Sequence, residues 1–266
     1  MKHSLELAER LAYALLARAS IPAWAPVDVS KIARCLGADV IPVTLQEDGY
    51  LASDDHGFHI FVNKEQPLVR QRFSVAHELG HLALHSGDMA SHHIRTIERS
   101  FRSEEMLCNT VAGALLLPRE WLERTRPDLW TVEREALEDV RAIAAEAHVS
   151  LEVALVRLRD LCGWTATMLH WRRRNPRRPD RPTWRLVAQA GVFPWERGSI
   201  LPVSATGDVL TEAAATSRDI HVAWPLPLRI DSQECDVECD LWVRGNDAVA
   251  FVPRRRSRAE LLATSA

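Results

Sequence analysis

Apolar positions in the first half of the chain recur with two periods, one helical and one strand-like. Leu5, Ala8, Leu11, Ala12, Leu15 and Leu16 stand at helical spacing and predict a helix over residues 3–19. The stretch Ile21-Pro22-Ala23-Trp24-Ala25-Pro26 breaks it. A second helix follows, with Asp28 or Ser30 as its N-cap and Gly37 as its stop. Ala38–Thr44, Tyr50–Ala52 and Phe58–Val62 read as strands, set apart by the turn signals Asp48-Gly49 and Ser53-Asp54-Asp55-His56-Gly57. Pro42 marks the first of them as an edge-type strand. Pro67 sits where a helix can begin, and Phe73, Val75, Ala76, Leu79 and Leu82 give that helix its apolar face. Strand 58–62 therefore feeds straight into it.

A further helix is expected from Ser103, as cap, to a stop at Pro118. Trp121 and Leu122 predict a short helix. Thr131 is the expected cap of a longer one reaching Ala147, and Ser150 caps the next. From Gly163 the pattern turns to strands: Trp164–Trp171, Trp184–Ala190, Leu226–Ile230, Val237–Val243 and Ala248–Val252. Arg244-Gly245-Asn246-Asp247 reads as the turn joining the last two. The basic run Arg172–Arg181 reads as a long hairpin loop between the first two. The expected organisation is α+β. Residues 1–162 form one domain, with 131–162 as a helix-turn-helix-like pair at its end. Residues 163–253 form a small β-rich domain, and 254–266 a disordered basic tail.

Composition is ordinary for a globular protein of 266 residues, and the formal net charge is −3. That balance gives no global reason to bind nucleic acid. Glu6, Glu9, Arg10 and Arg18 interrupt any signal-peptide core, and no apolar run is long enough to span a bilayer. The five cysteines are odd in number and scattered, unlike a secreted disulfide framework. Cys235 and Cys239 have neither a zinc-knuckle spacing nor a position on a strand that lets them pair easily. The expected compartment is the cytoplasm, without membrane association.

The helix after Pro67 carries His77-Glu78-Leu79-Gly80-His81. On a helix, residues four apart share a face, so both imidazoles can reach one Zn²⁺ ion. Glu78 lies close to them without being a ligand and is free to take a proton from water activated there. A catalytic zinc needs a third protein ligand. The class with a third His shortly after the motif is excluded, because Leu84 and Gly87 occupy the required Gly and His positions. Another class takes a carboxylate from a second helix, and Glu104 and Glu105 both offer one. Glu105 and Asn109 are four apart, so Asn109 can accept a hydrogen bond from a ligand histidine while Glu105 faces the metal.

Arg72-Phe73-Ser74-Val75-Ala76-His77-Glu78-Leu79-Gly80-His81-Leu82-Ala83-Leu84-His85, followed by Glu105 to Pro118, resembles the ImmA/IrrE-type metallopeptidases. Their pattern is R-F-x-x-A-H-E-x-G-H-x-x-L-H and then E-x-x-x-N-x-[FV]-A-x-x-L-L-x-P. The resemblance covers roughly residues 1–162, and Ile60 to Asn63 fits the strand that precedes the motif. The chain departs at Val111, where Phe is commoner, and at Leu107, where many members are acidic. The resemblance implies a zincin-like fold, zinc held by His77, His81 and Glu105, and Glu78 as general base. It also implies a zinc endopeptidase that cuts a helix-turn-helix transcriptional repressor. Glu104 stays the alternative third ligand.

Four residues are further candidates for the cleft. His85 lies one turn after His81 and suits the helix end. His92, His93 and Tyr50 are candidate oxyanion donors. Strand 58–62, beside the metal helix, is a candidate for pairing with an extended substrate. Two rival readings remain. One is a DNA-binding regulator acting through 131–162, although Leu151, Glu152, Val153 and Ala154 suit a major groove poorly. The other is a non-catalytic interaction module with a structural zinc.

Overall fold

A computed structural model describes residues 2–85, 101–130, 135–174, 183–191, 200–202, 210–212, 220–230, 233–244 and 246–252. The described chain divides into two compact units, residues 1–131 with 141–157, and 132–140 with 158–266. No helix among the described residues is long and apolar enough to cross a membrane.

In the first unit, α1 (Lys2–Arg18) buries Ala8, Leu11, Ala12, Leu15 and Leu16, the face expected from their spacing. The helix α2 (Val29–Cys35) is capped by Asp28, whose side chain accepts from the Lys31 N–H at 2.9 Å. Gly37, at φ +71°, turns the chain out of it. The strands β1 (Ala38–Val43), β2 (Gly49–Asp54) and β3 (Gly57–Asn63) form a sheet in the order β1-β3-β2. The strand β3 runs parallel to β1 and antiparallel to β2. Both its edges are therefore taken, so the expectation that strand 58–62 pairs with a substrate is corrected. Among the described residues, the unpaired edge nearer the motif helix belongs to β2.

That helix is α3 (Leu68–His85), and its partner is α4 (Phe101–Leu116). Ser103 lies inside the first turn of α4 rather than capping it, a shift of the size that helix ends commonly show. The two helices meet at Gly80. A Cβ added there would stand 3.2 Å from Cys108 Cα and 3.3 Å from Cys108 Cβ. Glycine costs about 1 kcal/mol in a helix interior, so its presence here reflects this close approach. Leu79, Leu82, Ala83, Cys108, Val111, Ala112 and Leu115 are buried on the two helices.

After α5 (Arg119–Thr125) and a 3-10 turn (Pro127–Trp130) come α6 (Leu137–Ala147) and α7 (Leu151–Cys162). The helix α6 starts later than the expected Thr131, which lies outside the described residues. Glu135 precedes it in non-helical conformation, with its carboxylate accepting from the N–H and hydroxyl of Thr165. At the α6–α7 turn His148 takes φ +54°, and Val149 N–H returns to Ala144 C=O. Ser150 caps α7 through the Val153 N–H at 3.2 Å. The buried Arg157 donates Nε to Leu117 C=O at 2.9 Å and pairs with Glu9 of α1.

The second unit holds an antiparallel six-stranded sheet. Its strands are β4 (Thr167–Arg174), β5 (Thr183–Gly191), β6 (Ile200–Pro202), β7 (Ile220–Ile230), β8 (Gln233–Arg244) and β9 (Asp247–Val252). Their order is β5-β4-β9-β8-β7-β6. Leu169, Trp171, Leu226, Leu241 and Val243 lie in its core. The β4–β5 pairing and the β8–β9 turn match expectation, but Arg172–Arg174, expected in the hairpin loop, extend β4. The strand β7 extends well before the expected Leu226, and Pro225 and Pro227 lie inside it, opposite Glu238 and Asp236 of β8. Residues 175–182 of the basic run and the 254–266 tail lie outside the described residues.

Two substitutions test this packing. Gly80→Val should lower stability by about 1–3 kcal/mol in thermal or denaturant unfolding, because its side chain meets the α4 backbone. Glu9→Ala should cost on the order of 3 kcal/mol by stranding the buried Arg157 guanidinium.

Candidate metal centre

The helical period of α3 places His77 and His81 on one face, with their Nε2 atoms 3.2 Å apart. The approach at Gly80 brings α4 across that face. Glu105 then sets Oε2 3.2 Å from His77 Nε2 and Oε1 3.1 Å from His81 Nε2. One turn on, Asn109 Oδ1 lies 3.0 Å from His77 Nδ1. Glu104 lies on the other side of the His81 ring, with Oε1 3.1 Å from Nδ1. The same oxygen is 2.9 Å from His85 Nε2. Of the two carboxylates that the sequence left open, Glu105 is the one facing both Nε2 atoms.

The ligand atoms of His77, His81 and Glu105 lie within 4.8 Å of one another. Two imidazoles and a carboxylate form a donor set suited to zinc and to related divalent ions. The two Nε2 atoms and the carboxylate oxygens converge on one point. A divalent cation placed there would meet all of them at once. The residues present therefore fit a metal.

Glu78 is on the same helix and only 8 % exposed. Burial raises its carboxyl above the usual glutamate range, and nearby Glu105 adds to this. His81 and a hydrogen bond from the Leu51 N–H on β2 work the other way. Burial and neighbouring His81 lower the His77 imidazole, against the pull of Glu105 and Asn109. Burial works to raise Glu104 as well, but its hydrogen bonds with His81 and His85 outweigh this and leave it lowered. Burial, reinforced by the surrounding glutamates, pushes the Cys108 thiol far up, so it stays neutral and serves as packing.

The other expected residues fall apart from this cluster or beside it. His85 meets Glu104 rather than the last helix carbonyls. Tyr50 is exposed on β2 and stacks on Phe61 at 4.8 Å between ring centroids. His92 and His93 lie outside the described residues. Sequence reasoning missed the Leu51 N–H, which no side-chain pattern marks. It also missed the pairing of Glu104 with two histidines. The spacing His77, His81, His85 carried a signal for that pairing, since it puts three imidazoles on one face. Arg72, which opens the motif, donates Nε to His148 C=O at 3.2 Å and Nη2 to Ala147 C=O at 3.5 Å, binding the α6–α7 turn to α3.

A search of curated proteins found no match. Among solved structures, the chain is similar to a Mycobacterium tuberculosis transcriptional regulator at 16 % identity and a TM-score of 0.54. That alignment covers 94 % of this chain and 76 % of the other, and at this identity the likeness is one of fold. The model of peptidase family M78, described as the IrrE N-terminal-like domain, matches residues 33–159. With the two motif helices inside that span, residues 33–159 form an α+β, zincin-like domain of the ImmA/IrrE metallopeptidase type.

Proposed function

We propose that the protein is a zinc-dependent endopeptidase that cuts a specific protein, a helix-turn-helix transcriptional repressor, and so relieves repression. The observation that carries this reading is the convergence of His77 Nε2, His81 Nε2 and the Glu105 carboxylate beside the buried Glu78. In this reading His77, His81 and Glu105 hold the ion, and Asn109 orients His77. Zinc in such a site acidifies water and polarises a carbonyl. Glu78 takes the proton released when water attacks the peptide carbon. It then gives that proton to the leaving amine. The raised affinity of its carboxyl for a proton suits both halves of this role.

The substrate backbone is placed by β2. This strand has one edge paired with β3, and its Leu51 N–H already reaches Glu78. An extended peptide added along the other edge would bring its carbonyl to the catalytic carboxylate. The metallopeptidase family supports the enzyme reading, and the repressor substrate follows from the family resemblance. The helical pair α6–α7 is a weak DNA reader. Arg157 is turned inward to Glu9 and Leu117, and Arg72 occupies the turn carbonyls. Cytoplasmic residence belongs to the same proposal.

Three outcomes are expected. Glu78→Gln should keep one zinc by metal analysis and lose cleavage by at least about a hundredfold. Glu105→Ala should lose tightly bound zinc. The wild-type protein should cut the repressor encoded beside its gene at one or a few sites, read by mass spectrometry. A fully active Glu78→Gln variant, or zinc retained by Glu105→Ala, overturns the assignment.

A further inference from the structure

We propose that Glu104 is a positioning residue that holds the His81 ring through Nδ1, and that His85 holds Glu104 in place. This rests on the zinc reading above and deepens it. A single oxygen, Glu104 Oε1, lies 3.1 Å from His81 Nδ1 and 2.9 Å from His85 Nε2. The other nitrogen of His81, Nε2, faces His77 Nε2 at 3.2 Å and Glu105 Oε1 at 3.1 Å. With Nε2 given to a metal, the one N–H of a neutral imidazole sits on Nδ1 and donates to Glu104. Glu104 therefore fixes the orientation in which His81 presents Nε2 to the ion.

The helix supplies this arrangement directly. Successive residues on α4 point about 100° apart. Adjacent glutamates thus reach opposite nitrogens of the same ring, Glu105 at Nε2 and Glu104 at Nδ1. The corresponding partner of His77 is a neutral amide, with Asn109 Oδ1 3.0 Å from Nδ1. His85 is more than half exposed, and its part is to give the Glu104 oxygen a second donor that fixes its direction.

His81, His85 and Glu104 are also close enough to hold an ion of their own. Such an ion would take His81 Nδ1 while the first takes Nε2, which requires the ring to lose its last proton. Hydrogen bonding requires no such loss, and this favours positioning over a second metal.

The test compares wild type, Glu104→Ala, Glu104→Gln and His85→Ala as full chains. It reads zinc stoichiometry and zinc affinity against a competing chelator. Glu104→Ala should bind one zinc about 10–100-fold more weakly. Glu104→Gln keeps the shape and an accepting oxygen, and should recover most of that loss, which separates positioning from misfolding. His85→Ala should weaken binding less than Glu104→Ala. Wild-type affinity in Glu104→Ala would overturn the proposal and leave the zinc reading standing. So would two zinc ions in wild type with one lost in Glu104→Ala. Wild type that binds no zinc overturns the proposed function and this inference with it.

Discussion

Two helix backbones come within van der Waals contact where α3 has no side chain, and the rest of the site follows from that contact. Gly80 faces Cys108 so closely that even a methyl group would press on the α4 backbone. The residues flanking these two positions are the ones assigned to the proposed site. His77, Glu78 and His81 surround Gly80, while Glu104, Glu105 and Asn109 surround Cys108. Fixing one point of contact at short range fixes the register of all six. A wider separation would leave Glu105 short of the imidazoles, since its side chain cannot lengthen to compensate.

Polar groups inside a partly dry cleft must be paired, or their burial is costly. The two histidines meet this demand in layers. Their Nδ1 atoms face Asn109 and Glu104, and their Nε2 atoms face Glu105. The outer partners hold the rings in orientation, so that the inner nitrogens converge. The shifts at Glu78 and His77 have a common direction in physical terms. Burial disfavours the charged form of each, raising the acid and lowering the base. A carboxyl that takes up a proton readily, held beside the proposed ligands, suits the proton transfer that the proposed hydrolysis needs.

The scaffold is tied at points far from this cleft. Arg157 links α7 to the end of α4 and to α1, and Arg72 links the α6–α7 turn to α3. A helix-turn-helix pattern in sequence therefore becomes a brace in the fold. The side chains that would have to face outward to read DNA are instead half-buried or turned inward.

Period and punctuation made much of this legible beforehand. The apolar face of α1, the Asp28 and Ser150 caps, the Gly37 exit and the hairpin turn after Arg244 are local events, governed by neighbours a few residues away. The shared face of His77 and His81 is local too, because one turn of helix decides it. Strand limits in the β unit were less legible. The length of β7 is set by β8, which pairs with it from Ile220 to Ile230, and not by the local pattern around Pro225 and Pro227. The choice between Glu104 and Glu105 was not legible at all. Both stand in the same acidic turn, and only the angle at which α4 crosses α3 sends one to Nε2 and the other to Nδ1. The edge position of β2 rather than β3 is likewise a property of sheet order. The sequence by itself determined the elements and the pair of imidazoles, since short-range sterics and periodicity govern both. The carboxylate that faces both Nε2 atoms, the strand edge beside Glu78 and the partner of His85 were decided by tertiary structure alone, because each is a distance between segments that the chain brings together only on folding.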